Sequence, residues 1–196
     1  CDLKGKEVIL PSLSFVSTAH AIMYNGGTPV FVDIDPHTLC INPEEIKKKI
    51  SKKTKCIIPV HFGGMPADIK RIQKLSSSRI MIIEDAAHAC GSEYHGKKIG
   101  SHGDFVCFSF HPVKNLAMPT GGLISINNHN YKKMAEDLKS KRWCGISNRK
   151  HTDYDVDKMG WNFYMNEFSA TIGLAQLLKI QKMNNIRKSI AKIYEK

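Results

Sequence analysis

The sequence predicts an α/β domain built on a mostly parallel sheet flanked by helices. Two observations carry this. Short apolar runs rich in β-branched residues alternate with longer stretches whose apolar residues recur at helical spacing. Strand–helix alternation of this kind builds a right-handed, mostly parallel sheet. The runs are also apolar at successive positions, as strands covered on both faces tend to be.

In chain order, EVILP (7–11) reads as the first strand. In SFVSTAHAIMYNGG, Phe15, Ala19, Ile22 and Met23 mark one apolar helix face, and Asn25–Gly26–Gly27 is its stop signal. PVFVDI (29–34) is the second strand. Asn42–Pro43 opens a helix, PEEIKKKI, with proline in the first turn and acids ahead of lysines, an order that suits the helix dipole. KCIIPVHF (55–62) is a strand, ADIKRIQKL (67–75) a helix and RIMIIED (79–85) a strand. DFVCFSF (104–110) and GLISIN (122–127) read as two more buried strands. NYKKMAEDLKSKR and the long NEFSATIGLAQLLKIQKMNNIRKSIAKIYE read as helices. No repeat, low-complexity tract or linker interrupts the pattern, so one domain is expected.

Composition narrows the function classes. The chain has 196 residues, 42% hydrophobic and 24% charged, ordinary for a globular protein and wrong for a disordered one. No apolar run approaches the ~18–20 residues that cross a bilayer, so no membrane insertion is expected. The N-terminus lacks the layout of a signal peptide. It does not begin with Met, which suggests a fragment or a processed product. Six scattered cysteines form no CxxC pair and no Cys/His cluster at ligand spacing. No metal site is expected, and a reducing, cytoplasmic setting fits. The net charge of +11 lies largely in lysine-rich stretches such as KKKISKKTK (47–55), which read as solvated helix faces. With no aromatic-interleaved basic stripe, a nucleic-acid partner is not expected.

Open α/β sheets bind ligands beyond the carboxyl ends of their strands. The chemistry is therefore sought after residues 7–11, 55–62, 79–85 and 104–110. RIMII is followed by Glu84–Asp85–Ala86–Ala87–His88. Asp85 reads either as a helix N-cap or as the partner of a protonated heterocycle nitrogen, with two small alanines leaving room for a flat ring. In CFSFHPVKNLAMPTGGLI, Ser109 offers a hydroxyl suited to phosphate, and Gly121–Gly122 allows a close backbone approach. Lys114 then stands in the connection between two strands. Hydroxyl, amine and carboxylate are the polar parts that a pyridoxal phosphate site requires. There is no GxxxxGK[ST] and no GxGxxG after a strand, so P-loop and Rossmann readings lose their support.

At these residues the chain resembles a known family. SFHPVKNLAMPTGG and IIEDAAHACGSEYHGKKIGSHGD, with EVILPSLSFVSTAHAIMYNGGTPVFVDID, IIPVHFGGMPADI and GWNFYMNEFSATIGLAQL, are similar to the DegT/DnrJ/EryC1/StrS nucleotide-sugar aminotransferases. The resemblance implies fold type I of the pyridoxal-phosphate-dependent transferases, the aspartate-aminotransferase fold. It also implies a keto-sugar nucleotide and an amino-acid donor, glutamate, as substrates. Lys114 would be the catalytic residue that links to the cofactor and shuttles protons. Asp85 would pair with the pyridine nitrogen and His88 would stand near the phenolic oxygen. Phe15 would stack on the ring and Ser109 would bind the phosphate. Asn162, in GWNFYMNE, would reach the phosphate of a partner subunit's cofactor, implying a homodimer with shared sites. Phe15 taken alone also reads as core, and His88 as a structural histidine. His61 and His111 lie near strand ends without an assigned role.

Two departures accompany the resemblance. Family members commonly carry an acidic residue before the glycine pair, where this chain reads MPTGG. Full-length relatives also extend further at both ends, so residues 1–196 are expected to be most of the cofactor-binding large domain without its N-terminal segment and small C-terminal domain. Two rivals stand beside transamination. A related sugar dehydratase typically carries His where this chain has Lys114, and a non-catalytic remnant would bind the cofactor without turnover.

Overall fold

The computed structural model describes residues 2–77 and 79–195. Its central sheet has six strands: β1 (Glu7–Pro11), β2 (Thr28–Val32), β3 (Thr54–Ile57), β4 (Met81–Asp85), β7 (Phe105–Ser109) and β8 (Gly122–Ile126). Two small hairpins supply the others, β5 (Glu93–Tyr94) with β6 (Lys97–Lys98), and β9 (Ile146–Lys150) with β10 (Asp153–Val156). The helices are α1 (Val16–Tyr24), α2 (Pro43–Lys49), α3 (Ile69–Leu75), α4 (Tyr131–Arg142), α5 (Glu167–Leu177) and α6 (Ile180–Tyr194).

The sheet order is β2-β1-β3-β4-β7-β8. Strands β2 through β7 run parallel, and β8 returns antiparallel along β7. The chain leaves β1 for β2 on one side, then crosses to β3 on the other. The order therefore reverses at β1, and an open α/β sheet has its crevice at such a point. All five parallel strands end on the same edge, which gathers the loops after β1, β3, β4 and β7.

The buried runs explain the middle of the sheet. In β1, Val8 and Leu10 pack with Ile22 of α1 on one face, while Ile9 packs with Ile46, Ile69 and Ile72 of α2 and α3 on the other. A strand covered on both faces has no polar alternation, which is why its sequence is continuously apolar. Local signals set the helix ends. The Asn42 side chain accepts from the Glu44 amide at the start of α2, and Asp68 accepts from the Arg71 amide at the start of α3.

Several expectations change. The long C-terminal helix is two, because at Lys179 the amide bonds back three residues to Gln176 and the regular ladder breaks. β8 is an edge strand with Leu123 and Ile124 exposed, where two buried strands were expected. α1 buries Thr18 and Ile22, whereas Phe15 and Met23 of the expected stripe face outward. The two hairpins were not anticipated. In the first, His95 and Gly96 both have positive φ, the geometry that closes a two-residue loop.

Candidate active site

The site assembles at the carboxyl edge of the parallel strands. Along β4, side chains alternate between faces, so Glu84 is fully buried while its neighbour Asp85 is half-buried at the strand end. Asp85 caps no helix. Its Oδ1 accepts from the Ala87 amide at 3.1 Å, closing a tight turn, and its Oδ2 accepts from the Thr18 hydroxyl at 2.8 Å. The Ser14 hydroxyl in turn donates to Thr18 Oγ1 at 2.9 Å. This chain ties the start of α1, with Phe15 at its N-cap, to the end of β4. The backbone of Asp85 is held as well: its amide donates to Pro59 at 2.8 Å, and its carbonyl accepts from the His61 amide at 3.0 Å.

His88 stands on the turn that follows. The Gly63 amide donates to its Nδ1 at 3.3 Å, and the Phe62 ring meets it edge-on at 6.0 Å between centroids. With Nδ1 accepting, the neutral ring carries its proton on Nε2. Burial of part of the ring lowers the His88 pKa, the Lys114 charge lowers it further, and Asp85 opposes both.

Ser109 ends β7, one strand over from Asp85, and its Oγ accepts from the His111 amide at 3.3 Å. Lys114 lies in the 110–121 connection, half-buried, its amide donating to the His111 carbonyl at 2.8 Å. The connection is braced at its base by Phe110 to Gly121 and Met118 to Phe110 backbone bonds. Gly121 has φ +153, and a Cβ there would stand 2.9 Å from Met165 Cε and collide with Met118 Cε. Among the described residues neither Lys114 nor Asp85 forms an ion pair.

Phe15 is 74% exposed, so it is no core residue, and its ring is open to a ligand. Asn162 pairs by backbone with Trp143 and is exposed. No contact among the described residues brings it to Asp85, His88, Ser109 or Lys114. Sequence reasoning missed Thr18, whose signal was a lone hydroxyl on the inward face of α1. It also left Glu84 and His61 unassigned, although they form a fully buried pair at 2.8 Å.

The residues present fit pyridoxal phosphate. An amine free of ion pairs, a carboxylate oriented by two donors and without an ion-pair partner among the described residues, a hydroxyl at a strand end and an open aromatic ring match its functional groups. The fold is that of the pyridoxal-phosphate-dependent transferases of fold type I. The chain belongs to the DegT/DnrJ/EryC1/StrS aminotransferase family, whose model matches residues 2–196. An uncharacterised protein of Methanocaldococcus jannaschii, MJ1066, is 40% identical over 203 residues, covering 98% of this chain and 52% of that protein. Among solved structures, the PLP form of Spr1654 from Streptococcus pneumoniae superposes with a TM-score of 0.90 at 31% identity, over 98% of this chain and 53% of that one. The sugar aminotransferase CalS13 of Micromonospora echinospora gives 0.83 at 31% identity, over 90% of this chain and 50% of that one. PseC of Helicobacter pylori, an aminotransferase of pseudoaminic acid biosynthesis, gives 0.83 at 32% identity, over 91% and 47%. The chain thus spans about half the length of the relatives it matches.

Proposed function

We propose that this chain is the cofactor-binding large domain of an enzyme that transfers an amino group from an amino acid, glutamate by preference, to a keto-sugar nucleotide. The observation that carries the reading is an Asp85 carboxylate oriented by Thr18 and Ala87 at the end of β4, with an ion-pair-free Lys114 in the loop that leaves the adjacent strand β7. Family membership supports it. Bound pyridoxal phosphate supplies an electron sink for the carbanion left when the donor loses its Cα proton. Lys114 would be the residue that anchors the cofactor and moves a proton as general base and acid. Asp85, its carboxylate held by Thr18 and Ala87, would face the pyridine nitrogen. His88, with its proton on Nε2, would be a donor near the ring. Ser109 would hold the phosphate, and Phe15 would lie against the ring.

Asn162 completes the phosphate site of a second subunit in this reading. Its exposure and its separation from the other groups favour a shared homodimeric site. So does the surface around it, where Met159, Trp161, Phe163, Phe168, Leu174 and Leu178 are all exposed. A cytoplasmic location accords with the five cysteines among the described residues all being free thiols.

The test is the visible absorption spectrum of the protein with added pyridoxal phosphate, before and after borohydride, beside Lys114→Ala. The expected result is a reducible band that disappears in the variant and responds to glutamate. An equally strong band in the variant would transfer the covalent role to another lysine and end this assignment.

A further inference from the structure

We infer that the buried His61–Glu84 pair is a positioning dyad that holds Asp85 and His88 in register at the cofactor edge. The inference rests on the reading of the site given above. Both side chains are 0% exposed, and among the described residues their hydrogen bonds go to each other, Ala67 and Gly103 rather than to a side chain assigned to the chemistry. A titratable pair of this kind is costly to bury, so its retention needs an account.

The hydrogen bonds fix its state. His61 Nδ1 accepts from the Ala67 amide at 3.0 Å, so the ring proton sits on Nε2 and is donated to Glu84 Oε2 at 2.8 Å. A doubly protonated ring would turn a second N–H against that of Ala67. Glu84 Oε1 accepts from the Gly103 amide in a short contact. Both carboxylate oxygens thus act as acceptors, from opposite sides. A Cβ on Gly103 would lie 2.7 Å from Glu84 Oε1 and 3.1 Å from the Ile82 carbonyl, so the anchor needs glycine there.

What the dyad joins gives it its role. Through its imidazole, His61 closes the 61–67 loop on itself and clamps it to β4 one residue before Asp85. Through its backbone, the same residue donates to the Asp85 carbonyl, and Val60 bridges Asp85 in parallel. Inside the loop, the Gly63 amide orients His88, and the Gly64 carbonyl accepts from Ser92 at 2.8 Å on the turn that carries His88. One imidazole therefore determines where the loop meets both the strand end and the histidine. Releasing it frees Asp85 and His88 together without removing either.

Three variants separate the links. His61→Gln can still donate to Glu84 from about the place of Nε2 but loses the Ala67 bond. His61→Asn can still accept from Ala67 but is too short for Glu84. Glu84→Gln offers one acceptor oxygen to two donors. We would measure pyridoxal phosphate affinity by absorbance titration, and amide hydrogen exchange at Gly63, Asp85 and Ala87 in the cofactor-free protein, with circular dichroism to verify folding. His61→Asn and Glu84→Gln are expected to weaken cofactor affinity about 10-fold or more, the low end of what orienting outer-shell partners cost elsewhere. They should also speed exchange at all three amides, whereas His61→Gln stays below that 10-fold loss. Wild-type exchange and affinity in a folded His61→Asn protein would overturn the dyad, as would His61→Gln damaged equally with His61→Asn. The exchange readout decides the dyad even if wild type forms no Lys114-dependent band, a result that would refute the cofactor reading alone.

Discussion

Replacing Thr18 by valine removes one hydroxyl and keeps the shape of the side chain, so it isolates the bond that orients Asp85. Thr18 is 7% exposed, and its hydroxyl lies 2.8 Å from Asp85 Oδ2. Hydrogen bonds to charged groups contribute about 1.5–3 kcal/mol. Asp85 is half-buried, and water can re-solvate part of its carboxylate, which places the expected loss at about 1.5–2 kcal/mol. For a chain of this size that lowers the melting temperature by about 3–8 °C. Ser14 loses an acceptor too, but it lies near the surface and can turn to water. The measurement is a double-mutant cycle over Thr18→Val, Asp85→Ala and the pair, read by urea unfolding. A coupling of about 1.5 kcal/mol is expected, because the two sites share one interaction. Thr18→Ser keeps the hydroxyl and should lose less than valine does. A coupling below about 0.5 kcal/mol, the usual scatter of independent sites, would mean that the hydroxyl does not hold the carboxylate and that Asp85 owes its orientation to the backbone alone.

Two further outcomes follow from burial. Desolvation pushes the Cys56 thiol to about 12 and the Cys107 thiol to about 11, with the Asp85 charge adding to the latter. At pH 8 their thiolate fractions are on the order of 10⁻⁴ and 10⁻³, against about a quarter for a free thiol. Alkylation followed by mass spectrometry should therefore modify exposed Cys144 first and leave Cys56 and Cys107 intact until the chain unfolds; early labelling of Cys56 would contradict its burial. For His88, the folded state binds the proton more weakly than the unfolded chain, whose ordinary value is 6.5. Stability from this group is thus present above about pH 6.5 and declines as pH falls through that value toward the lowered folded midpoint. Between pH 7.5 and 5.5, wild type should lose more stability than His88→Gln in urea titrations, and parallel profiles would refute the assignment.

Much of this was legible in the sequence, for reasons that differ by element. β1 and β4 announce themselves because parallel strands buried on both faces are continuous apolar runs. α2 and α3 carry their own start signals in Asn42 and Asp68. β5 and β6 were hidden because two-residue strands have no periodicity, and their turn places His95 at a positive φ that glycine more often takes. β8 misled because an apolar run does not say whether a neighbour covers it. In the candidate site, Asp85 and Ser109 were named from their positions at strand ends and Lys114 from its place in the connection between two strands. Phe15, His88 and Asn162 were named only through the family likeness. Thr18 and His61 were missed because their partners lie 67 and 23 residues away in sequence, and such pairs leave no local pattern.

The consecutive carboxylates of β4 show how one strand can serve structure and chemistry at adjacent positions. Strand alternation sends Glu84 and Asp85 to opposite faces, so a single residue of chain separates a closed environment from an open one. Glu84 meets two donors, the His61 ring and the Gly103 amide, and is fully buried, so it can anchor but not react. Asp85 meets two donors as well, Thr18 and Ala87, yet it stands half-buried where the strand ends, on the edge at which open α/β sheets bind ligands. Because both share one rigid strand, whatever fixes Glu84 also fixes the starting point of Asp85. A site that must hold a ring nitrogen against a carboxylate therefore gains its precision from the far face of the sheet, where the chemistry itself never reaches.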